Sequence, residues 1–151
     1  MKAMLGNDRP ALQRILVADD SRVFRILTSE TLLEHGLEVL EASNGNEALR
    51  IMLSHHPQLV ILDALMPVIS GFQVMDMLRE ADPDYHPVIF VVTAVYKSRR
   101  WAAEAKTTYK VAEYMEKPIE PEELIKAIAR HFPEFLGISL RSFSGRQPPM
   151  S

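Results

Sequence analysis

The sequence predicts an α/β fold, a doubly wound open parallel sheet with helices on both faces. Five short apolar runs with little polar alternation read as strands buried on both faces. Segments of helical period lie between them, and the connections are long enough for crossovers. A length of 151 residues, 47% hydrophobic and 25% charged, suits one globular domain with a sizeable core. That composition excludes a disordered, collagen-like or coiled-coil chain.

The first strand is Ile15-Leu16-Val17-Ala18, which stops at Asp19-Asp20-Ser21. Ser21 can cap a helix running towards His35, with Gly36 as its left-handed stop. Leu37 to Ala42 is the second strand, closed by Ser43-Asn44-Gly45. Ala48, Leu49, Met52 and Leu53 then make an apolar helical stripe, and His55-His56 precedes Pro57 in a loop. Leu59 to Leu62 is the third strand and ends at Asp63; Phe72, Met75 and Leu78 mark the next helix. Val88 to Val92, the most β-branched stretch, ends at Thr93. A helix over Ser98 to Thr108 carries Trp101, Ala102 and Ala105, and Val111 to Met115 is a weaker strand closed by Lys117-Pro118. In the last helix Pro121 suits the first position, Glu122 and Glu123 complement the N-terminal dipole, and Arg130 and His131 the C-terminal one. Leu124, Ile125, Ile128, Ala129 and Phe132 form its buried face.

Composition narrows the chemistry. Without cysteine there is no disulfide, thiol nucleophile, iron–sulfur cluster or thiolate zinc site. The histidines, His35, His55, His56, His86 and His131, are too scattered for zinc. A formal net charge of −3 gives no bulk attraction to nucleic acid, and the basic cluster of Lys97, Arg99 and Arg100 is too short to track phosphates. The polar N-terminus is no secretory signal, and no apolar run approaches membrane-spanning length. A cytoplasmic protein is expected.

In an open parallel sheet, ligands bind beyond the carboxyl ends of the strands. Asp19, Asp20, Asp63, Thr93 and Lys117 all stand there. Each taken singly reads as a cap or turn former. Three carboxylates on one edge need an offsetting charge, and an all-oxygen site with vacant positions suits Mg²⁺. A carboxylate beside Mg²⁺ with a lysine across from it is a coherent phosphoryl-acceptor arrangement.

These residues resemble the response-regulator receiver domain, the phosphoacceptor module of two-component signalling, over roughly Arg14 to Phe132. The motifs are Asp19-Asp20-Ser21 after a strand, Asp63-Ala-Leu-Met66-Pro67-Val-Ile-Ser-Gly71, Thr93-Ala94, and Tyr114-Met-Glu-Lys117-Pro118. The resemblance implies a flavodoxin-like, five-stranded sheet of order 2-1-3-4-5. It implies that Asp63 accepts the phosphoryl group, that Asp20, Asp63 and the Leu65 backbone carbonyl ligate Mg²⁺, and that Asp19 acts mainly through a bound water. Thr93 would hydrogen-bond a phosphoryl oxygen, Lys117 would pair with it, and the Lys117–Pro118 bond would be cis. Tyr114 stands at the switch-aromatic position, turning inward as Thr93 moves and reshaping the surface of the fourth helix, fifth strand and fifth helix. The plainer reading of Tyr114 is a buried strand-edge tyrosine with a satisfied hydroxyl.

The implied phosphodonor is a sensor histidine kinase or phosphotransfer protein docking near Val23, Phe24 and Leu27, with an unidentified protein as downstream target. No direct nucleic-acid or membrane contact and no enzymatic turnover are expected, and a homodimer formed on phosphorylation is left open. Residues 1–13 are expected to be an extension, 14–132 the receiver and 133–151 a partly disordered tail. Within that tail, Phe135, Leu136, Ile138 and Leu140 are too apolar for a simple linker. Three alternatives stay open: the receiver of a longer regulator, a scaffold without phosphorylation, and an aspartate-nucleophile phosphohydrolase. The last usually carries Asp-x-Asp after its first strand, whereas Asp19-Asp20 is adjacent here. Two departures from the family pattern stand out. The segment Tyr109-Lys110 before the fifth strand lacks glycine, and Leu65 and Val95, which flank the path of hydrolytic water, are both apolar, so slow self-dephosphorylation is expected.

Overall fold

The computed structural model describes residues 11–94 and 99–135, with backbone alone at 99–101. The order of elements is β1 (Arg14–Ala18), α1 (Arg22–Glu34), β2 (Glu38–Ala42), α2 (Gly45–His55), β3 (Leu59–Asp63), α3 (Gly71–Ala81), β4 (Val88–Thr93), α4 (Arg99–Thr107), β5 (Glu113–Glu116) and α5 (Pro121–His131). All four strand pairings are parallel, in the order β2-β1-β3-β4-β5.

The sheet separates two apolar layers, which explains the unbroken apolar strands. On one face Ile15, Val17, Ile61, Phe90 and Val92 pack with Leu32 of α1 and with Leu124 and Ile128 of α5. On the other, Leu16, Val60, Leu62 and Val91 pack with Met52 of α2, Val74 and Leu78 of α3, and Ala105 of α4. Successive strand residues point to opposite faces, so both halves of the central runs β1 and β3 are buried.

The helix ends follow their sequence signals. The Ser21 side chain accepts from the Phe24 N–H, and Gly36 takes a φ of 79° after α1. Ser70 and Gln73 form a reciprocal capping box at α3. Pro121 opens α5, with Glu122 and Glu123 in its first turn and Arg130 and His131 in its last.

Two local expectations are corrected. His55 is the last residue of α2 rather than part of a loop, and His56 closes the helix with a φ of 45°. The fifth strand begins at Glu113, not Val111, because the Val111 N–H turns back to Ala105 O. Lys110 reaches that turn with a φ of 55°, doing without glycine what glycine does most easily. Leu12, within the expected extension, is buried in the α1–α5 layer, and its N–H donates to Glu134 Oε1 at 3.1 Å. Phe135 is buried in the same layer. Ser98, Val95, Lys97 and the tail from Leu136 lie outside the described residues, as do the side chains of Arg99, Arg100 and Trp101.

Candidate functional site

The five strand-end residues meet on one edge because parallel strands end together. The Asp19 N–H donates to Ala42 O at 3.0 Å, carrying the β1–β2 ladder one residue past β1 and burying the side chain. Asp19 Oδ1 accepts from the Ser21 N–H at 2.8 Å, so the acid also turns the chain into α1. Arg25 donates to Asp19 O at 2.7 Å and approaches Glu41 at 3.4 Å, clamping that turn. Asp63 closes β3 and is buried, its Oδ1 accepting from the Leu65 N–H at 3.1 Å. The loop returns over it through the bond from Gly71 N–H to Ala64 O at 2.9 Å. A Cβ on Gly71 would stand 2.4 Å from Asp63 O, so only glycine fits.

Buried Thr93 closes β4, and its carbonyl accepts from the Lys117 N–H at 3.0 Å. The Lys117–Pro118 peptide is cis. The lysine Nζ sits 2.6 Å from Asp19 Oδ2, 3.8 Å from Asp63 Oδ2 and 4.4 Å from the Phe24 ring centroid. One ammonium thus faces two buried carboxylates, with an aromatic face beside it. Burial and then the Asp19 charge push the Asp63 carboxyl from 3.8 up to about 7, against the opposing pull of the Leu65 N–H and Lys117.

Asp19, Asp20 and Asp63 each offer an oxygen within 4.8 Å of the others, with Asp20 exposed at the mouth. This hard-oxygen donor set with one open side fits Mg²⁺. Asp19 Oδ2 is buried and meets Lys117 at contact distance without hydrogen-bond geometry, so it keeps acceptor capacity. Leu65 follows Asp63 in the same loop, which sets its backbone beside the cluster.

Tyr114 stands apart from this group. It pairs in register with Val91, two residues before Thr93, and its ring packs on the α2–α4 layer. Its hydroxyl is buried with no hydrogen-bond partner among the described residues, and burial raises its pKa. A satisfied hydroxyl, the plainer expectation, is not what these residues provide. Arg25 and the close approach at Gly45 escaped sequence reasoning. A Cβ on Gly45 would stand 2.4 Å from Ile69 O, a contact that no local pattern announces. Ser70 and Gln73 could have been found from their capping-box spacing.

Residues 15–129 match the family described as the response regulator receiver domain. Protein PilH of Pseudomonas aeruginosa is 31% identical over 119 residues, covering 78% of this chain and 95% of PilH. Some longer relatives are spanned for only 44% of their length. The chemotaxis protein CheY4 of Vibrio cholerae superposes with a TM-score of 0.71 at 31% identity, over 80% of this chain and 98% of that one. The response regulator protein TrrA of Thermotoga maritima, solved in complex with Mg(2+)-BeF, is 35% identical with a TM-score of 0.66, over 79% of this chain and 98% of its own. The fold and its strand order agree with these matches, and the chain belongs to the response regulator receiver domains of two-component signalling.

Proposed function

We propose that this protein is a phosphorylation-controlled switch in which Asp63 accepts a phosphoryl group from a sensor histidine kinase, a phosphotransfer protein or a small phosphodonor. The observation that carries the reading is Asp63 itself: buried at the end of the central strand, with Lys117 and two further carboxylates around it. A carboxylate oxygen of Asp63 attacks phosphorus, the donor's bond to phosphorus breaks, and its electron pair leaves with the donor. Lys117, now shared between Asp19 and Asp63, shifts towards the new phosphoryl oxygens, and the Thr93 hydroxyl donates a hydrogen bond to one of them. Asp20, Asp63 and the Leu65 carbonyl would hold Mg²⁺, with Asp19 acting through an intervening water. When bound, the ion supplies positive charge against the phosphoryl oxygens.

The switch is a population shift. Movement of Thr93 towards the phosphoryl group opens space on the β4–β5 side, and Tyr114, half-buried with its hydroxyl already inside, turns further inward, reshaping the α4–β5–α5 surface for a partner protein. The unpartnered Tyr114 hydroxyl supports this, since turning exposes no lost hydrogen bond among the described residues. The phosphodonor docks on α1 near Val23, Phe24 and Leu27, and residues 14–132 act as the receiver unit. The setting is the cytoplasm, and no diffusible substrate is turned over. No described helix is long and apolar enough to cross a membrane.

The test is to incubate the protein with Mg²⁺ and acetyl phosphate and read the intact mass. One added phosphoryl group is expected, and Asp63→Asn abolishes it. Normal labelling of the variant assigns the acceptor elsewhere, and no labelling of either protein favours the scaffold reading.

A further inference from the structure

The α1–α5 face carries a groove of about 680 Å³ that the sheet core does not fill. Val23, Phe24, Leu27, Ile119 and Leu124 line it, and Val23 and Leu27 are 67% and 59% exposed. Glu30, Glu34 and Glu120 bring acidic side chains to its lining. At one end it reaches Lys117; at the other, Glu34 stands at the C-terminus of α1.

The chain after α5 starts beside that second end. Phe135 is buried in the α1–α5 layer, its ring 5.5 Å from that of His35, the C-cap of α1. The 16 residues 136–151 follow. They begin Leu136-Gly-Ile138-Ser-Leu140-Arg141, an alternation that gives an extended segment one apolar edge. They include Arg141 and Arg146 and no acidic side chain, the complement of a groove lined by three glutamates. The reach also fits. From His35 back to Leu27 along α1 is about 12 Å at the helical rise. From Phe135 to Leu140 an extended chain spans up to about 17 Å.

We propose that residues 136–143 lie in the α1–α5 groove of their own chain, with Leu136, Ile138 and Leu140 on its apolar floor and Arg141 against its glutamates. The occupied groove hides Leu27 and Val23 and lies over Phe24, the ring beside the Lys117 ammonium. A protein phosphodonor must displace the segment, whereas a small one need not; this consequence alone rests on the phosphoacceptor reading.

The chain has no cysteine, so an engineered pair reads proximity without background. Leu27→Cys is combined with Leu140→Cys, and Ile26→Cys with Leu140→Cys serves as control. Ile26 sits at nearly the same height of α1 and is 42% exposed, but does not line the groove. Under mild oxidation the Leu27 pair should form an intramolecular disulfide about tenfold faster than the control pair. Adding Leu136→Ser and Ile138→Ser should bring it down to the control rate. Glu30→Cys in place of Leu27→Cys should give the same order, so the result does not hang on one variant. Equal rates at Leu27 and Ile26, or no intramolecular cross-link, overturn the proposal. Disulfide-linked dimers as the main product overturn it in favour of a second copy in the groove. None of these readings needs phosphorylation, so failure here leaves the assignment of Asp63 standing, and the reverse.

Discussion

At the scale of single residues, the site keeps charge under tension. A folded-state value near 7 for Asp63, above the ordinary 3.8, means that the folded protein holds this proton more tightly than the unfolded chain does. That stabilising contribution is complete below about pH 4 and is lost as pH rises through about 7. Asp63→Asn, with no proton to lose, should therefore be more stable than the parent by ~2 kcal/mol at pH 8 without Mg²⁺, melting at a higher temperature, and show little gain at pH 4. Thermal melts at the two pH values check this; a gain independent of pH would refute the electrostatic cause. Leu65 and Val95 address the lifetime of the phosphorylated state. Leu65 is exposed beside Asp63 and has no group to orient water, and Val95 lies outside the described residues. Leu65→Asn or Val95→Glu should speed loss of the phosphoryl group, followed by mass after removal of the donor. Unchanged decay in both variants would show that these side chains do not govern hydrolysis.

At the scale of elements, the loops between helices and strands hold strained and crowded backbone. Val68, a β-branched residue in the β3–α3 loop, has a φ of 72°, and Lys110 before β5 has a φ of 55°. Such a conformation costs roughly 1–2 kcal/mol for a residue with a side chain, partly offset in glycine by its greater unfolded freedom. Val68→Gly and Lys110→Gly should each stabilise by about 0.5–1 kcal/mol in denaturant melts. Gly71→Ala should act in the opposite sense. Its Cβ would meet the backbone oxygen of Asp63, which cannot swing aside, so a loss of ~1–3 kcal/mol and slower labelling of Asp63 are expected together. The capping box at Ser70 and Gln73 holds that helix start in place. Beyond the site, Tyr109 ties the end of α4 to α3, its hydroxyl donating to Asp76 at 3.1 Å and its ring 5.1 Å from Phe72.

At the scale of the whole molecule, folding itself builds the acidic edge. Asp19 and Asp20 follow β1, and Asp63 ends β3; only the sheet brings the three within 4.8 Å. On the proposed reading Mg²⁺ would bind the folded chain and not the unfolded one, and by mass action it should raise the unfolding midpoint with concentration. The gain is about 2.7 kcal/mol at one hundred times the dissociation constant. Asp20→Asn should shift that response to higher Mg²⁺, as read from melts across a Mg²⁺ series. A response unchanged in the variant would place the ion elsewhere. The same sheet separates the layer of α1 and α5 from the layer of α2, α3 and α4, so the groove on α1 and the buried face of α4 lie on opposite sides of it.

The local sequence by itself determined the class of fold and the identity of the strand-end residues. Strand period, Ser21, Gly36 and Pro121 are local signals, and a parallel sheet necessarily brings its carboxyl ends to one edge. Tertiary structure alone decided what passes between elements: that Lys117 meets Asp19 more closely than Asp63, that Arg25 clamps the first turn, and that Gly45 and Gly71 admit backbone. It also decided that Lys110 turns left-handed without glycine, because the bond from Val111 to Ala105 holds that turn from outside the dipeptide. Local propensity acts over a few neighbouring residues, whereas these contacts are set by distances that exist only once the layers pack.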